Sequence, residues 1–147
     1  MLRKFYISGL TLMVAAGLAA QPAFAETPDQ ILSSIQNEAQ KEAQKDAKNA
    51  PGFQGFSAAR GESFYKAISG NKLSCASCHT ENPAAQGKHN NTGKVIQPLA
   101  PSANAERFSD PAKVEKWFKR NCNDVLGRVC TAQEKGDVLT YLLTIKK

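Results

Sequence analysis

The stretch "CASCH" at residues 75–79 constrains this chain more than any other. Two thiols two residues apart, followed at once by an imidazole, fit three chemistries. A thioredoxin-like dithiol needs a βαβ context, and no strand pattern appears along the chain. Half of a tetrahedral zinc site needs two more cysteine or histidine ligands at suitable spacing. The third is covalent haem attachment. Cys75 and Cys78 can reach the two vinyl groups of one porphyrin as thioethers, and His79 then lies under the ring and bonds the iron. One such motif predicts one haem c, with His79 as proximal ligand. The other ring nitrogen of His79 is expected to donate to a backbone carbonyl, which orients the ring. Pro98 in "QPLAP" (97–101) is the expected acceptor.

The N-terminus, "MLRKFYISGLTLMVAAGLAAQPAFA", reads as a secretory signal peptide. Arg3 and Lys4 form its basic start, an apolar stretch follows, and Ala23-Phe24-Ala25 matches the cleavage pattern. The apolar stretch is short against the ~20 residues of a membrane span, so an uncleaved anchor is the lesser alternative. Cleavage places the mature chain in the periplasm and removes Met1 and Met13, the chain's only methionines. It also removes Arg3 and Lys4, so 17 basic residues face 13 acidic ones and the balance falls from +6 to +4. That mild excess suits an acidic redox partner and is too dispersed for nucleic acid.

The expected organisation is a signal peptide at 1–25, a charged helix and linker at 26–50, and one all-α haem domain at 51–147. Residues 27–48 read as a helix with Thr27 as N-cap, Pro28 in its first turn and Gln30 closing a capping box. Its thin stripe of Ile31, Ile35, Ala39, Ala43 and Ala47 predicts a helix lying loosely on the domain; a partner-docking helix is the alternative. Ser57 can cap a second helix, "AARGESFYKAIS". Residues 70–106 show no period and read as loop with short helical turns, a length that wrapping a haem would explain. Asp110 and Pro111 start a third helix, "DPAKVEKWFKRNC". Thr131 and Glu134 start a fourth by a capping box, with Val138, Leu139, Leu142 and Leu143 on one face.

The ligand on the far face of the iron is open at this level. With no methionine in the mature chain, His89, a lysine, an asparagine or water remain. His89 lies in the polar stretch "QGKHNNTGK" and is within reach, since ten residues extend ~33 Å. Val114, Trp117, Phe118 and Asn121 fall at i, i+3, i+4 and i+7 on one helical face: three large apolar side chains and one amide. Asn121 is either an iron ligand or the helix C-cap. Cys122 and Cys130 should form a disulfide in an oxidising compartment, closing "CNDVLGRVC" beside Asn121. An amide holds ferric iron better than ferrous iron, so reduction could open the distal face to O₂, CO or NO.

"CASCH", "PLAPSANAERFSDP", "VEKWFKRNCNDVLGRVC" and "TAQEKGDVLTYL" together resemble the sphaeroides haem protein family of oxygen-binding class I c-type cytochromes, from about Phe56 to Leu143. The resemblance implies an asparagine distal ligand beside a disulfide, matched by Asn121, Cys122 and Cys130. It implies displacement of that asparagine on reduction, and a small dihaem cytochrome c as electron donor. It also implies class I packing, with Gly61 and Phe64 or Tyr65 crossing Tyr141 and Leu142. The helix at 27–48 stands as a departure from the family. Two rival readings remain. One is a plain six-coordinate electron carrier, with His89 as its candidate ligand. The other is a small haem reductase of O₂, peroxide or nitrogen oxides, for which the 114–121 stripe offers no distal acid, Glu115 facing away.

Overall fold

The computed structural model describes residues 25–46 and 52–147, so the signal-peptide reading and part of the linker lie outside the described residues. Among the described residues there are five helices and one minute hairpin: α1 (Pro28–Lys45), α2 (Ala58–Lys66), α3 (Ala76–His79), β1 (Gly87–Lys88), β2 (Val95–Ile96), α4 (Pro111–Leu126) and α5 (Ala132–Thr144). The strands pair antiparallel, Gly87 with Ile96 and Lys88 with Val95. The all-α class stands, and two residues per strand are too few to show an alternating pattern in the sequence.

The caps explain why the helices start where they do. Thr27 and Thr131 each close a full capping box, with Gln30 and Glu134 as the returning side chains. Ser57 and Asp110 accept from the amides of Arg60 and Lys113. α4 runs four residues beyond its expected end, through the first half of the disulfide loop, and stops at Gly127 in the left-handed conformation.

α5 is the central helix, packing against both α2 and α1. The α2–α5 crossing is very close. A Cβ at Gly61 would run into the carbonyl of Asp137, so only glycine lets the backbones approach. Tyr65 and Tyr141 stack beside it with ring centroids 5.6 Å apart. This is the crossing that the class I resemblance implied. Asp137 is buried and fully engaged there, accepting from the Ser57 amide, from Arg60 twice and from Gln133.

α1 does not lie loosely. Ile31 is 2% exposed, and with Ile35 and Ala39 it packs against Val114, Ala132 and Leu139. An ion cluster around a buried lysine pins it: Lys135 of α5 bonds Glu38 of α1 at 3.0 Å and Glu115 of α4 at 3.0 Å. Glu42 also accepts from the Ala132 amide at the start of α5. The charge-rich face that looked merely solvated therefore carries the partners of a buried lysine. Phe108 and Phe118 bridge the two core clusters, their rings 6.4 Å apart. Phe108 adopts φ +56, a left-handed backbone uncommon for a bulky residue, which the packing of its ring holds in place.

Candidate haem site

Cys75 caps and Cys78 and His79 lie on the single turn of α3, so the attachment motif is one rigid unit. Both cysteines are free thiols, whereas Cys122 and Cys130 are joined in a disulfide. The turn is held from three sides. Tyr65, fully buried, donates its hydroxyl to the carbonyl of Thr80 at 2.8 Å. The Asn90 amide donates to the Cys78 sulfur at 3.4 Å. β1 lies directly against the Cys78 carbonyl, and a Cβ at Gly87 would collide with that oxygen. Neither Gly87 nor Tyr65's bond to Thr80 announces itself in the sequence, because both depend on contacts between distant segments.

Burial pushes the Cys75 thiol up to about 11, so it stays protonated at neutral pH. Burial, then the nearby Arg107 guanidinium, pushes the His79 imidazole down to about 4. The imidazole is thus neutral, the form that ligates iron. Two unpaired thiols on one turn with an adjacent neutral imidazole fit covalent haem c through Cys75 and Cys78, with His79 as iron ligand. The carbonyl of Pro98, the expected acceptor for His79, accepts from Arg107 Nε at 3.0 Å and from Asn104 Nδ2 at 3.4 Å. Arg107 Nη2 also donates to the Gln97 carbonyl at 2.8 Å, so this half-buried guanidinium clamps the 97–98 segment near His79. Sequence reasoning missed Arg107 because nothing local marks an arginine as partly buried.

The second group of expected residues sits on α4. Val114 is buried, Phe118 is half-buried between the two cores, and Trp117 is 45% exposed with Arg120 5.6 Å from its ring centroid. Asn121 is half-buried, five residues before the helix end, so it is not the C-cap. Among the described residues its amide side chain makes no hydrogen bond. His89 behaves otherwise: its Nδ1 accepts from the amides of Asn91 and Thr92 and shapes the turn of the hairpin that lies against Cys78. Glu115 points away from the stripe, into the Lys135 cluster.

A small α-helical domain with Gly61 and paired tyrosines at its helix crossing, and a CxxCH turn beside them, is a monohaem c-type cytochrome with covalently bound haem c. The chain belongs to the DUF1924 family, described as a domain of unknown function, whose model matches residues 51–142. It is 52% identical over 83 residues to cytochrome c'' of Methylophilus methylotrophus, covering 56% of this chain and 58% of that protein. It is 54% identical over 69 residues to the cytochrome c-type protein SHP of Cereibacter sphaeroides, covering 47% and 53%. The matches thus span a little over half the length of these relatives. The structure of oxidised SHP, described as an oxygen-binding cytochrome c, superposes with a TM-score of 0.66 at 37% identity, over 80% of this chain and 96% of that one. The solution structure of Methylophilus methylotrophus cytochrome c'', which addresses haem-ligand detachment, gives 0.66 at 36%, over 82% and 94%. Residues 52–147 alone are about two thirds of the chain, so these superpositions extend N-terminal of residue 52. The N-terminal region is therefore not wholly an addition to the common fold.

Proposed function

We propose that this chain is a periplasmic one-electron carrier whose haem is ligated by His79 and, when ferric, by Asn121. Asn121 would be released on reduction, which would open that face of the iron to O₂ or NO. The observation that carries this reading is the uncommitted amide of Asn121 on the α4 face shared with Val114 and Trp117. A half-buried amide that bonds none of the other described residues is free to ligate, and an amide is a weak, uncharged ligand for ferrous iron. The relatives agree in kind: SHP is described as oxygen-binding, and cytochrome c'' as a case of haem-ligand detachment. The haem supplies one-electron exchange and an iron face for diatomic gases. The protein would supply the proximal imidazole of His79, the apolar side chains of Trp117 and Phe118, and the releasable amide of Asn121. Swung off the iron, Asn121 can donate a hydrogen bond to a gas ligand.

A periplasmic location is consistent with the Cys122–Cys130 disulfide, which persists in oxidising compartments. No described helix is long and apolar enough to cross a membrane. A small dihaem cytochrome c is the proposed donor, docking through the chain's mild positive excess. His89 as a permanent ligand is less well supported, because its Nδ1 accepts from two amides of the hairpin turn, which puts the ring proton on Nε2, the nitrogen left to ligate. The reductase reading lacks an acid on the α4 face, Glu115 being paired with Lys135.

The test is the anaerobic visible spectrum of the dithionite-reduced holoprotein, before and after CO. A broad high-spin ferrous spectrum that shifts at once with CO is expected. A sharp low-spin band indifferent to CO would replace this reading with a plain six-coordinate carrier. Asn121→Ala is then expected to turn the ferric form high-spin while leaving the reduced spectrum nearly unchanged.

A further inference from the structure

A tight turn at 69–73, just ahead of the haem attachment turn, reaches across to the end of α4. The Ser69 amide donates to the Leu73 carbonyl at 3.0 Å, and the Lys72 amide to the Ser69 carbonyl at 2.7 Å. Lys72 takes φ +59 to close it. The turn presents Asn71, whose three N–H groups serve three carbonyls of the last turn of α4. Its backbone amide donates to Val125 at 3.3 Å, and its Nδ2 donates to Asn123 at 3.2 Å and Asp124 at 2.9 Å. The last carbonyls of a helix have no partner within it, so a side chain supplying donors there holds the helix end in place. Asn71 is four residues from Cys75, and the carbonyls it holds begin two residues after Asn121.

We propose that Asn71 is a positioning residue for the distal ligand: it ties the haem attachment segment to the α4 segment that carries Asn121. This rests on the reading of Asn121 as the ferric ligand. The disulfide Cys122–Cys130 holds the same segment from the opposite direction, toward the start of α5. Held at both sides, the backbone at 121–126 keeps its place, and reduction-linked release of Asn121 is a movement of the side chain alone. The clamp therefore acts on the ferric state, where Asn121 must be presented to the iron. It has no hold on the ferrous state, where Asn121 is already off.

The experiment compares holoproteins of wild type, Asn71→Ala and Asn121→Ala, with cyanide binding to the ferric form and CO binding to the ferrous form followed by stopped flow. Cyanide must displace Asn121. Loss of two exposed side-chain hydrogen bonds is expected to speed cyanide binding by about three- to tenfold in Asn71→Ala and to raise the ferric high-spin fraction. The CO rate stays at the wild-type value. Amide exchange in the last turn of α4 accelerates, while exchange in α1 does not. Thr27→Ala, which removes the N-cap of α1 and touches neither restraint, leaves the cyanide rate unchanged. If Asn71→Ala leaves the cyanide rate at wild type while Asn121→Ala raises it, the clamp is overturned and the ligand reading stands. If Asn121→Ala also leaves the ferric spectrum and the cyanide rate unchanged, the ligand reading falls and the clamp's role falls with it. Should Asn71→Ala fail to accumulate as holoprotein, Asn71→Ser keeps the backbone bond to Val125 and is expected to show the same ferric-only acceleration.

Discussion

Gly61 shows how much can depend on one hydrogen atom. Its α-carbon lies against the Asp137 carbonyl, and the hydrogen bonds of Asp137 to Ser57, Arg60 and Gln133 are built around that approach. Gly61→Ala must force α2 and α5 apart, with an expected loss of about 2–3 kcal/mol from overpacking alone. Urea titration should show a lower midpoint with an unchanged slope. Gly87 has the same role against Cys78, with a different readout. Gly87→Ala should displace the attachment turn and lower the yield of covalently loaded protein, measured as haem per polypeptide. Gly61 was legible through the resemblance, since the class I crossing demands a glycine there. Gly87, Asn71 and Arg107 were not, because each owes its role to a segment distant in sequence.

At the scale of the element, the capping boxes of α1 and α5 were readable in full, since the whole signal lies within four residues. Glu134 does more than cap. Burial pushes its carboxyl up, but Arg128 and the Thr131 amide and hydroxyl outweigh that and hold it below the usual range. A depressed carboxyl contributes stability that is present above its unfolded pKa and is lost as pH falls through the folded one. Glu134→Gln should therefore cost about 1 kcal/mol at neutral pH, with the difference from wild type vanishing in acid. Urea melts of both proteins at the two pH values decide it. α1 shows the opposite case. Its apolar stripe was visible, but the decision to pack it against α4 and α5 lies with Lys135, a residue about a hundred positions away. Replacing both Glu38 and Glu115 by glutamine leaves a buried ammonium without a counter-charge and should cost about 3 kcal/mol. Lys135→Met should cost less, because the two carboxylates left behind are half-exposed and can turn to water.

Over the whole molecule, the two cysteine pairs divide the chemistry. Cys75 and Cys78 stay free for haem, and Cys122–Cys130 closes the loop between α4 and α5. With a sequence separation of 8, chain entropy predicts that the double variant Cys122→Ser, Cys130→Ser loses about 2–3 kcal/mol. Thermal melts of the oxidised ferric holoprotein would measure it. On the proposed ligation by Asn121, that variant should also raise the ferric high-spin fraction, because one of the two proposed restraints on the 121–126 backbone is gone.

The sequence by itself determined the haem c attachment motif, the helical class and the helix starts. All of these rest on residues within a few positions of one another, where spacing is already geometry. The tertiary structure alone decided that α4 extends past Asn121 and leaves its amide uncommitted. It decided that α1 joins the core, that Arg107 takes the Pro98 carbonyl, and that Asn71 holds the end of α4. Each of these is a pairing between segments far apart in the chain, and no local pattern encodes which buried donor meets which distant acceptor.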